Sequence, residues 1–190
     1  MITPALLHAK FDRASPYELY LRSARPHQRA AWDASDARAS LLPRQHELLA
    51  TFTRVMPVLV ISGTWCGDCV QQCPMLARIA EANPSKIHLR FLDRDAHLDL
   101  ADQVMVCGGH RVPLVIFANE DFEFVHLFGD RTLTRYRAQA AKALGAACPL
   151  PGAPLDADDA AGTLQDWVNE FERVQLLLRL SPKLRERYGD

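Results

Sequence analysis

The sequence has no excess of either charge. Among its 190 residues, 22 are Lys or Arg and 23 are Asp or Glu, which gives a formal net charge of −1 at pH 7. A chain without a strong net field offers no electrostatic basis for binding nucleic acid or an acidic membrane. We therefore expect neither as a partner.

Long apolar runs are also absent from the sequence. A helix that crosses a bilayer needs about 18–20 apolar residues in succession, and no stretch approaches that length. Residues 1–20 contain no basic region leading into an apolar one, so the sequence predicts no secretory signal. The composition, 48% hydrophobic and 24% charged, is typical of a soluble globular protein.

A glycine pattern for binding dinucleotides is absent as well. Nothing in the chain matches G-x-G-x-x-G, the fingerprint of a flavin or nicotinamide site. We therefore expect no bound cofactor. Any electrons that the protein transfers would then come from another molecule.

The five cysteines are odd in number and unevenly placed. Three of them, Cys66, Cys69 and Cys73, fall in the stretch SGTWCGDCVQQCP, residues 62–74. A disulfide-stabilised secreted domain has an even, dispersed set instead. The pattern favours a reducing compartment, the cytoplasm, where clustered cysteines are typically catalytic or metal-binding.

Hydrophobic periodicity divides the chain into three regions. Residues 1–52 have a helical, amphipathic pattern, in which Ser15 to Glu18 is typical of a helix-capping box. Residues 53–147 alternate short apolar runs with helical segments in the order β-α-β-α-β-β-α. The second helix of this series is predicted over residues 97–106.

Residues 148–190 combine a linker with an amphipathic helix. Three prolines and a glycine between Cys148 and Asp159 indicate the linker. We expect the apolar stripe of the following helix to pack on the central region; contact with a second copy or a partner is the alternative. The stripe consists of Leu164, Trp167, Val168, Phe171, Val174 and Leu178.

Cys66 and Cys69 lie where a buried strand gives way to a helix. In a helical turn their Cα atoms are about 5 Å apart, which a disulfide tolerates. The helix N-terminus favours negative charge, so we expect it to lower the pKa of the Cys66 thiol. Cys66 is then the exposed nucleophile and Cys69 the buried resolving thiol.

The residues around this pair indicate a binding surface. Trp65 is predicted to form an apolar rim for a peptide or, alternatively, to be a half-buried packing residue. Gly67 keeps the bend beside Cys66 uncrowded. Asp68 suits the helix dipole, but its charge also opposes the thiolate. Cys73 lies about 10 Å from Cys66 along the helix, so it is predicted to be a core cysteine, with a back-up thiol as the alternative.

These features resemble the thioredoxin superfamily. The strand and helix order, WCGDC after a buried strand and RVPLVIF some forty residues later carry the resemblance. WCGDC together with CGGHRVP is similar to a bacterial thioredoxin-like family. The resemblance spans about residues 40–147. It implies an α/β thioredoxin-like fold, a central mixed sheet flanked by helices, with helical extensions at both ends.

The resemblance also implies a substrate site. Pro113 would be a cis-proline beside the two cysteines, and the backbone of Val112 would pair with an extended substrate segment. Arg111 lies next to this segment, and the loop at Gly129 would form the third wall of the groove. The implied activity is thiol–disulfide exchange on protein disulfides, with electrons from a separate reductase or a small-molecule thiol.

Two positions depart from thioredoxins proper. Those proteins carry a buried acid six residues before the nucleophile, where this chain has Val60. The dipeptide between the cysteines is Gly67-Asp68 instead of Gly-Pro. These departures favour a specialised or slower oxidoreductase over a general disulfide reductase.

Two other functions fit parts of the pattern. C-x2-C-x3-C-P overlaps the last three cysteines of a bacterial iron–sulfur run, but the first cysteine is missing and a helix spreads the ligands over different turns. A structural zinc would need a second pair of ligands, which Cys107 and Cys148 do not form, so no metal site is predicted. The remaining alternative is a thioredoxin fold that binds a partner without catalysis, with its cysteines inert or acting as a sensor.

Overall fold

The computed structural model describes residues 2–144 and 159–189. Its strands are β1 (Met56–Ser62), β2 (Ile87–Asp93), β3 (Leu114–Ala118) and β4 (Phe124–Gly129). Its helices are α1 (Pro4–Arg13), α2 (Tyr17–Leu21), α3 (Pro26–Asp36), α4 (Pro43–Ala50), α5 (Gly67–Ala82), α6 (Leu98–Ala101), α7 (Leu133–Leu144), α8 (Asp159–Leu180) and α9 (Pro182–Tyr188). The helix end expected at Gly145 and the expected linker, up to residue 158, lie outside the described residues.

The four strands form one mixed sheet in the order β2-β1-β3-β4. β1 runs parallel to β2 and antiparallel to β3, and β4 pairs antiparallel with β3. All seven residues of β1 are buried, as expected for a continuous apolar strand with neighbours on both sides and helices on both faces. The predicted β-α-β-α-β-β-α order and the thioredoxin-like fold are therefore confirmed.

The second helix of that series is shorter than predicted. It covers Leu98–Ala101, whereas the sequence indicated residues 97–106. Val106 and Gly109 exchange two backbone hydrogen bonds of 3.0 Å, and Cys107 between them has a φ of 49°. This tight turn needs a left-handed residue, so the chain leaves the helix before it.

The N-terminal segment adds a pairing at the sheet edge that the sequence did not indicate. The Ser15 backbone exchanges hydrogen bonds of 2.9 and 2.8 Å with Phe91 in β2. The capping-box prediction for Ser15 is therefore wrong: its backbone is extended along β2, and Pro16 takes the N-cap position of α2. The bridge covers part of an otherwise open strand edge.

Helix α8 packs on the sheet with the stripe that the sequence predicted. All six side chains of the stripe are buried. The Phe171 ring packs edge-on against Phe117 in β3, and Trp167 packs edge-on against Phe128 in β4, each with ring centroids 5.0 Å apart. The helical C-terminal extension thus completes the core. In the described ranges, no helix combines the length and apolar character needed to cross a membrane.

Candidate active site

Cys66 caps the N-terminus of α5. Its Sγ accepts a hydrogen bond from the Cys69 backbone N–H at 3.5 Å, and its thiol donates to the Val112 carbonyl at 3.5 Å. Cys66 is partly exposed, whereas Cys69, one turn further along, is fully buried. The two thiols thus have the unequal exposure expected of an attacking and a resolving cysteine.

The ionisation of this pair differs from the sequence prediction. The Cys69 thiol and burial raise the pKa of the Cys66 thiol, although backbone N–H groups of Cys69 and Asp68 act in the opposite direction. Burial also raises the pKa of Cys69. The predicted net lowering at Cys66 is therefore wrong: the helix N-terminal donors are present, but the neighbouring thiol and the loss of water outweigh them.

Asp68, between the two cysteines, is held by two arginines. Arg131 contacts its Oδ2 at 2.6 Å and Arg135 contacts its Oδ1 at 2.8 Å. The three side chains are 16–18% exposed. Asp68 is therefore a paired carboxylate and not a free charge.

A second buried carboxylate extends this ion-pair system. Asp130 is 3% exposed and accepts hydrogen bonds from the guanidinium groups of Arg111 at 3.3 Å and Arg131 at 3.4 Å, and from the Tyr136 hydroxyl. Burial opposes ionisation, but the hydrogen bonds from Tyr136 and Arg111 outweigh it and lower the pKa of Asp130. We call this system the charge network; its members are Asp68, Arg111, Asp130, Arg131, Arg135 and Tyr136.

The segment that opens β3 approaches both Cys66 and the loop after β4. The Val112–Pro113 peptide bond is cis, as is Gly129–Asp130. Gly129 has a φ of +133°, and a Cβ added there would lie 2.3 Å from the Pro113 carbonyl oxygen. The backbone approach therefore requires glycine at position 129. The Val112 carbonyl contacts Cys66, and the Pro113 carbonyl next to it lies against Gly129.

The surface beside Cys66 is open on its outer side. Trp65 is 48% exposed. The Arg94 guanidinium lies 4.5 Å from its ring centroid, and the Gly63 backbone lies beneath the ring. About half of the Trp65 side chain packs on the protein, and the other half is exposed and could border a bound peptide. A Cβ added at Gly67 would meet nothing within 4 Å, which leaves the bend uncrowded.

The strand position six residues before Cys66 is apolar. Val60 is fully buried in β1, so an aliphatic side chain occupies the position where thioredoxins carry an acid. Cys73 is also fully buried, within the hydrophobic core, and its Sγ lies 3.6 Å from the Ser62 hydroxyl. The Ser62 hydroxyl therefore gives this pocket a polar group without a charge.

Helix α3 holds the turn that precedes Cys66. Buried Trp32 donates its indole N–H to the Thr64 carbonyl at 3.0 Å, and the Thr64 hydroxyl donates to the Gln28 side chain at 3.3 Å. Sequence reasoning did not find these contacts, because no local pattern shows which turn a distant tryptophan reaches.

Arg131 and Arg135 were missed for a similar reason. Arg131 lies two residues after Gly129, which the resemblance did single out. Its place near that glycine was the available signal, but its partner Asp68 is more than sixty residues away. Within residues 2–144 and 159–189, no group of three or more His, Cys, Asp or Glu side chains is arranged to hold a metal ion.

The fold is similar to that of solved structures at low sequence identity. A Pseudomonas aeruginosa protein of unknown function aligns with a TM-score of 0.69 and 19% identity, over 92% of this chain and 97% of its own. An HIV epitope scaffold aligns with a TM-score of 0.60 and 20% identity, over 92% of this chain and 93% of its own. No curated protein matches the sequence.

The family assignment comes from the sequence itself. The thioredoxin family model Thioredoxin_9 matches residues 15–140, which is more than half of the chain. The matched range contains Cys66, Cys69 and Pro113, together with the charge network. The chain therefore belongs to the Thioredoxin_9 family of thioredoxins.

Proposed function

We propose that the protein is a thiol–disulfide oxidoreductase that acts on protein disulfides through Cys66 and Cys69. One observation carries the proposal. The partly exposed Sγ of Cys66 lies at the N-terminus of α5, 3.5 Å from the Val112 carbonyl, with buried Cys69 one turn behind it. A substrate sulfur beside Val112 would therefore meet the attacking thiol, while the resolving thiol stays protected from solvent.

The exchange proceeds in two displacements. The Cys66 thiolate attacks one sulfur of the substrate disulfide, forms a mixed disulfide and releases the other sulfur as a thiolate, which takes up a proton. Cys69 then loses its proton and attacks Cys66 Sγ, which forms the Cys66–Cys69 disulfide and releases the second substrate thiol. The substrate gains two electrons and two protons, and the protein loses them.

The reduced pair must be regenerated by a second molecule. A dithiol reductase, or two equivalents of a small thiol, would attack the Cys66–Cys69 disulfide and become oxidised in turn. We propose a cytoplasmic location, where such thiols are abundant. The raised pKa of both thiols favours slow attack on substrates, which suits a specialised enzyme.

We propose that the substrate is an extended protein segment. Its backbone would pair with that of Val112 by strand addition, as the family resemblance implies. Trp65 and Gly67 would border the segment on one side, with Arg111, Pro113 and Gly129 on the other. Asp68 would face it only as a paired carboxylate, because Arg131 and Arg135 hold both of its oxygens.

Trapping of the mixed disulfide tests this function. Cys69→Ser should accumulate a covalent complex with a disulfide-containing test protein, because the resolving step is removed, and Cys66→Ser should form none. Cys107→Ser is the matched control, since Cys107 is an exposed thiol outside the pair. Equal trapping by Cys69→Ser and by a Cys66→Ser/Cys69→Ser variant would contradict the proposal.

A second candidate is a binding module whose cysteines act as a sensor or are inert. The raised pKa of the Cys66 thiol favours it, since a non-catalytic module has no need of an easily formed thiolate. Under this function, partner binding would be the same in wild type and in Cys66→Ser. The trapping experiment separates the two, because only an exchange enzyme yields a Cys66-dependent covalent complex.

A further inference from the structure

The exchange chemistry itself gives no role to the arginines around Asp68. A carboxylate two residues after the nucleophile, on the first helical turn, disfavours a thiolate beside it. The structure places Asp68 on that turn, where its backbone N–H acts to lower the pKa of the Cys66 thiol, and pairs its carboxylate with two arginines. Arg131 and Arg135 can therefore affect Cys66 through the carboxylate that they pair with.

Each oxygen of Asp68 has its own guanidinium partner. Arg131 takes Oδ2 at 2.6 Å, and Arg135 takes Oδ1 at 2.8 Å. These are short, charge-assisted contacts among side chains that are less than one-fifth exposed. Contacts of this kind are screened much less than surface ion pairs, so they fix both the position and the effective charge of Asp68.

The two arginines differ in their other contacts. Arg131 also contacts Asp130, which in turn holds Arg111 beside Pro113. Arg135 pairs with Asp68 and not with Asp130, so its removal perturbs Asp68 more selectively.

Several other charged and titratable groups belong to the same site. Cys69 lies on the same helix, and Arg111 is held on the far side by Asp130. The hydroxyl of Tyr136 contacts Asp130. Arg94 stacks on the outer ring of Trp65. Asp68 is the acid closest in sequence to the nucleophile.

We infer that Arg131 and Arg135 are positioning residues for Cys66: they hold Asp68 on the first turn of α5 and cancel its charge, so that the nucleophile ionises beside a paired carboxylate. The inference rests on the proposed exchange function and extends it to how the attacking thiol is prepared. Neither arginine touches the reacting sulfur. Both act through Asp68.

A double-mutant cycle on Asp68 and Arg135 tests the inference. The readout is the rate at which iodoacetamide alkylates Cys66 in the reduced protein, followed by peptide mass spectrometry across a pH series. Arg135→Gln should slow alkylation about three- to tenfold at neutral pH and shift the midpoint of the rate–pH profile to higher pH. The reason is that the negative charge of Asp68 is then less fully neutralised. Asp68→Asn alone should not slow it.

The decisive comparison is the effect of Arg135→Gln in the Asp68→Asn background. If Arg135 acts through Asp68, the substitution has little effect there, since there is no charge left to cancel. An equal slowing in both backgrounds, or no slowing with Asp68 present, would overturn the inference. Arg137→Gln, which removes the same charge from the same helix, is the control and should leave the profile unchanged.

Two further measurements accompany the cycle: one tests whether each variant is folded, and the other tests the proposed function itself. Circular dichroism establishes that each variant is folded, and if Arg135→Gln is not, the same cycle is run with Arg131→Gln. The redox midpoint of the wild type is measured alongside. If wild-type Cys66 and Cys69 show no paired redox step, the proposed function fails; if they do but the cycle shows no coupling, only the role of the arginines fails.

Discussion

Cys66 and Cys69 are one helical turn apart but have different surroundings. Cys66 is partly exposed and receives a backbone donor at the start of α5, whereas Cys69 is enclosed by the core. In the proposed exchange, this difference in access gives the first attack to Cys66 and the resolving step to Cys69. The Cys69 thiol and burial raise the pKa of Cys66, and burial raises the pKa of Cys69, so we expect the supply of thiolate to limit the rate of that exchange.

Gly129 sets the contact between two walls of the site, and its substitution has a clear expected cost. Gly129→Ala should lower the free energy of unfolding by about 1–3 kcal/mol from backbone strain alone, because φ is +133°. The added Cβ would also lie 2.3 Å from the Pro113 carbonyl and force that loop to move. Urea denaturation measures the effect.

Gly109→Ala is the matched control for that substitution. Gly109 lies in a loop near the same site, but its nearest neighbour would be 3.6 Å from the added Cβ, an ordinary contact. It should change stability by less than about 1 kcal/mol. Equal effects of the two substitutions would show that the close approach at Gly129 is not required.

Asp130 gives the stability of the protein a specific dependence on pH. Its folded pKa is lowered from an ordinary value of 3.8, so its contribution is present above that value and is lost as the pH falls through the folded value. Asp130→Asn should cost about 1.5–3 kcal/mol at neutral pH. The difference from wild type should shrink below about pH 3.8.

The measurement is denaturant unfolding of both proteins at neutral and at acidic pH. Asp12→Asn is a suitable control, because Asp12 is an acid on α1, in another part of the fold, and its side chain is 68% exposed. A stability difference for Asp130→Asn that stays constant down to the lowest pH would show that the carboxylate is not held ionised by its partners.

At the scale of single residues, the sequence predicted the members of the site better than their electrostatics. The CxxC spacing is a local signal that singled out Cys66 and Cys69, and the family resemblance singled out Pro113. The pKa of Cys66 was predicted in the wrong direction, because burial and the second thiol depend on tertiary packing. The partners of Asp68 were not predicted, since they come from a loop and a helix far along the chain.

Hydrogen bonds join helix α8 to α5, and α5 to the loop after β4, which forms part of the candidate site. Gln72, fully buried in α5, donates to the Asp130 carbonyl at 3.0 Å and accepts the Trp167 indole N–H at 3.2 Å. One amide thus joins the nucleophile helix, the loop after β4 and the C-terminal extension. The position of α8 therefore bears directly on the loop that carries Arg131.

The packing of α8 on the sheet gives a prediction at this scale. Phe171→Ala should destabilise the protein by about 3–5 kcal/mol, because a fully buried ring that packs on Phe117 is lost. Leu176→Ala, on the same helix and 49% exposed, is the control and should cost less than about 1 kcal/mol. Thermal unfolding compares them, and similar losses would contradict the packing of α8.

Elements with a strong hydrophobic period could be predicted from the sequence. Element ends that depend on backbone hydrogen bonds to distant residues could not. The α8 stripe repeats at helical spacing, and β1 is a continuous apolar run, so both could be found from sequence. The early end of α6 and the loss of the cap at Ser15 depend on hydrogen bonds to Gly109 and Phe91. Such bonds leave no period in the sequence.

The whole molecule shares one hydrophobic core. A single cluster of buried side chains includes Leu7 and Trp32 from the N-terminal helices, β1, and Phe171 from α8. The N-terminal helices also hold the turn before Cys66 through the Trp32 indole. The extensions are therefore structural partners of the site in the described residues.

A shared core predicts one cooperative unfolding transition. Far-UV circular dichroism and tryptophan fluorescence should give the same denaturation midpoint, since Trp32 and Trp167 report on the two extensions. Trp65→Phe removes the exposed fluorophore and serves as the control. Two separated transitions would show that an extension unfolds independently of the sheet.

Counting accessible thiols across a series of glutathione redox ratios establishes whether Cys66 and Cys69 form a working redox couple. We expect two thiols to disappear together at one midpoint in wild type and in Cys107→Ser, and no such step in Cys66→Ser. If wild type shows no paired step, or if the step persists in Cys66→Ser, the two cysteines are not a redox couple.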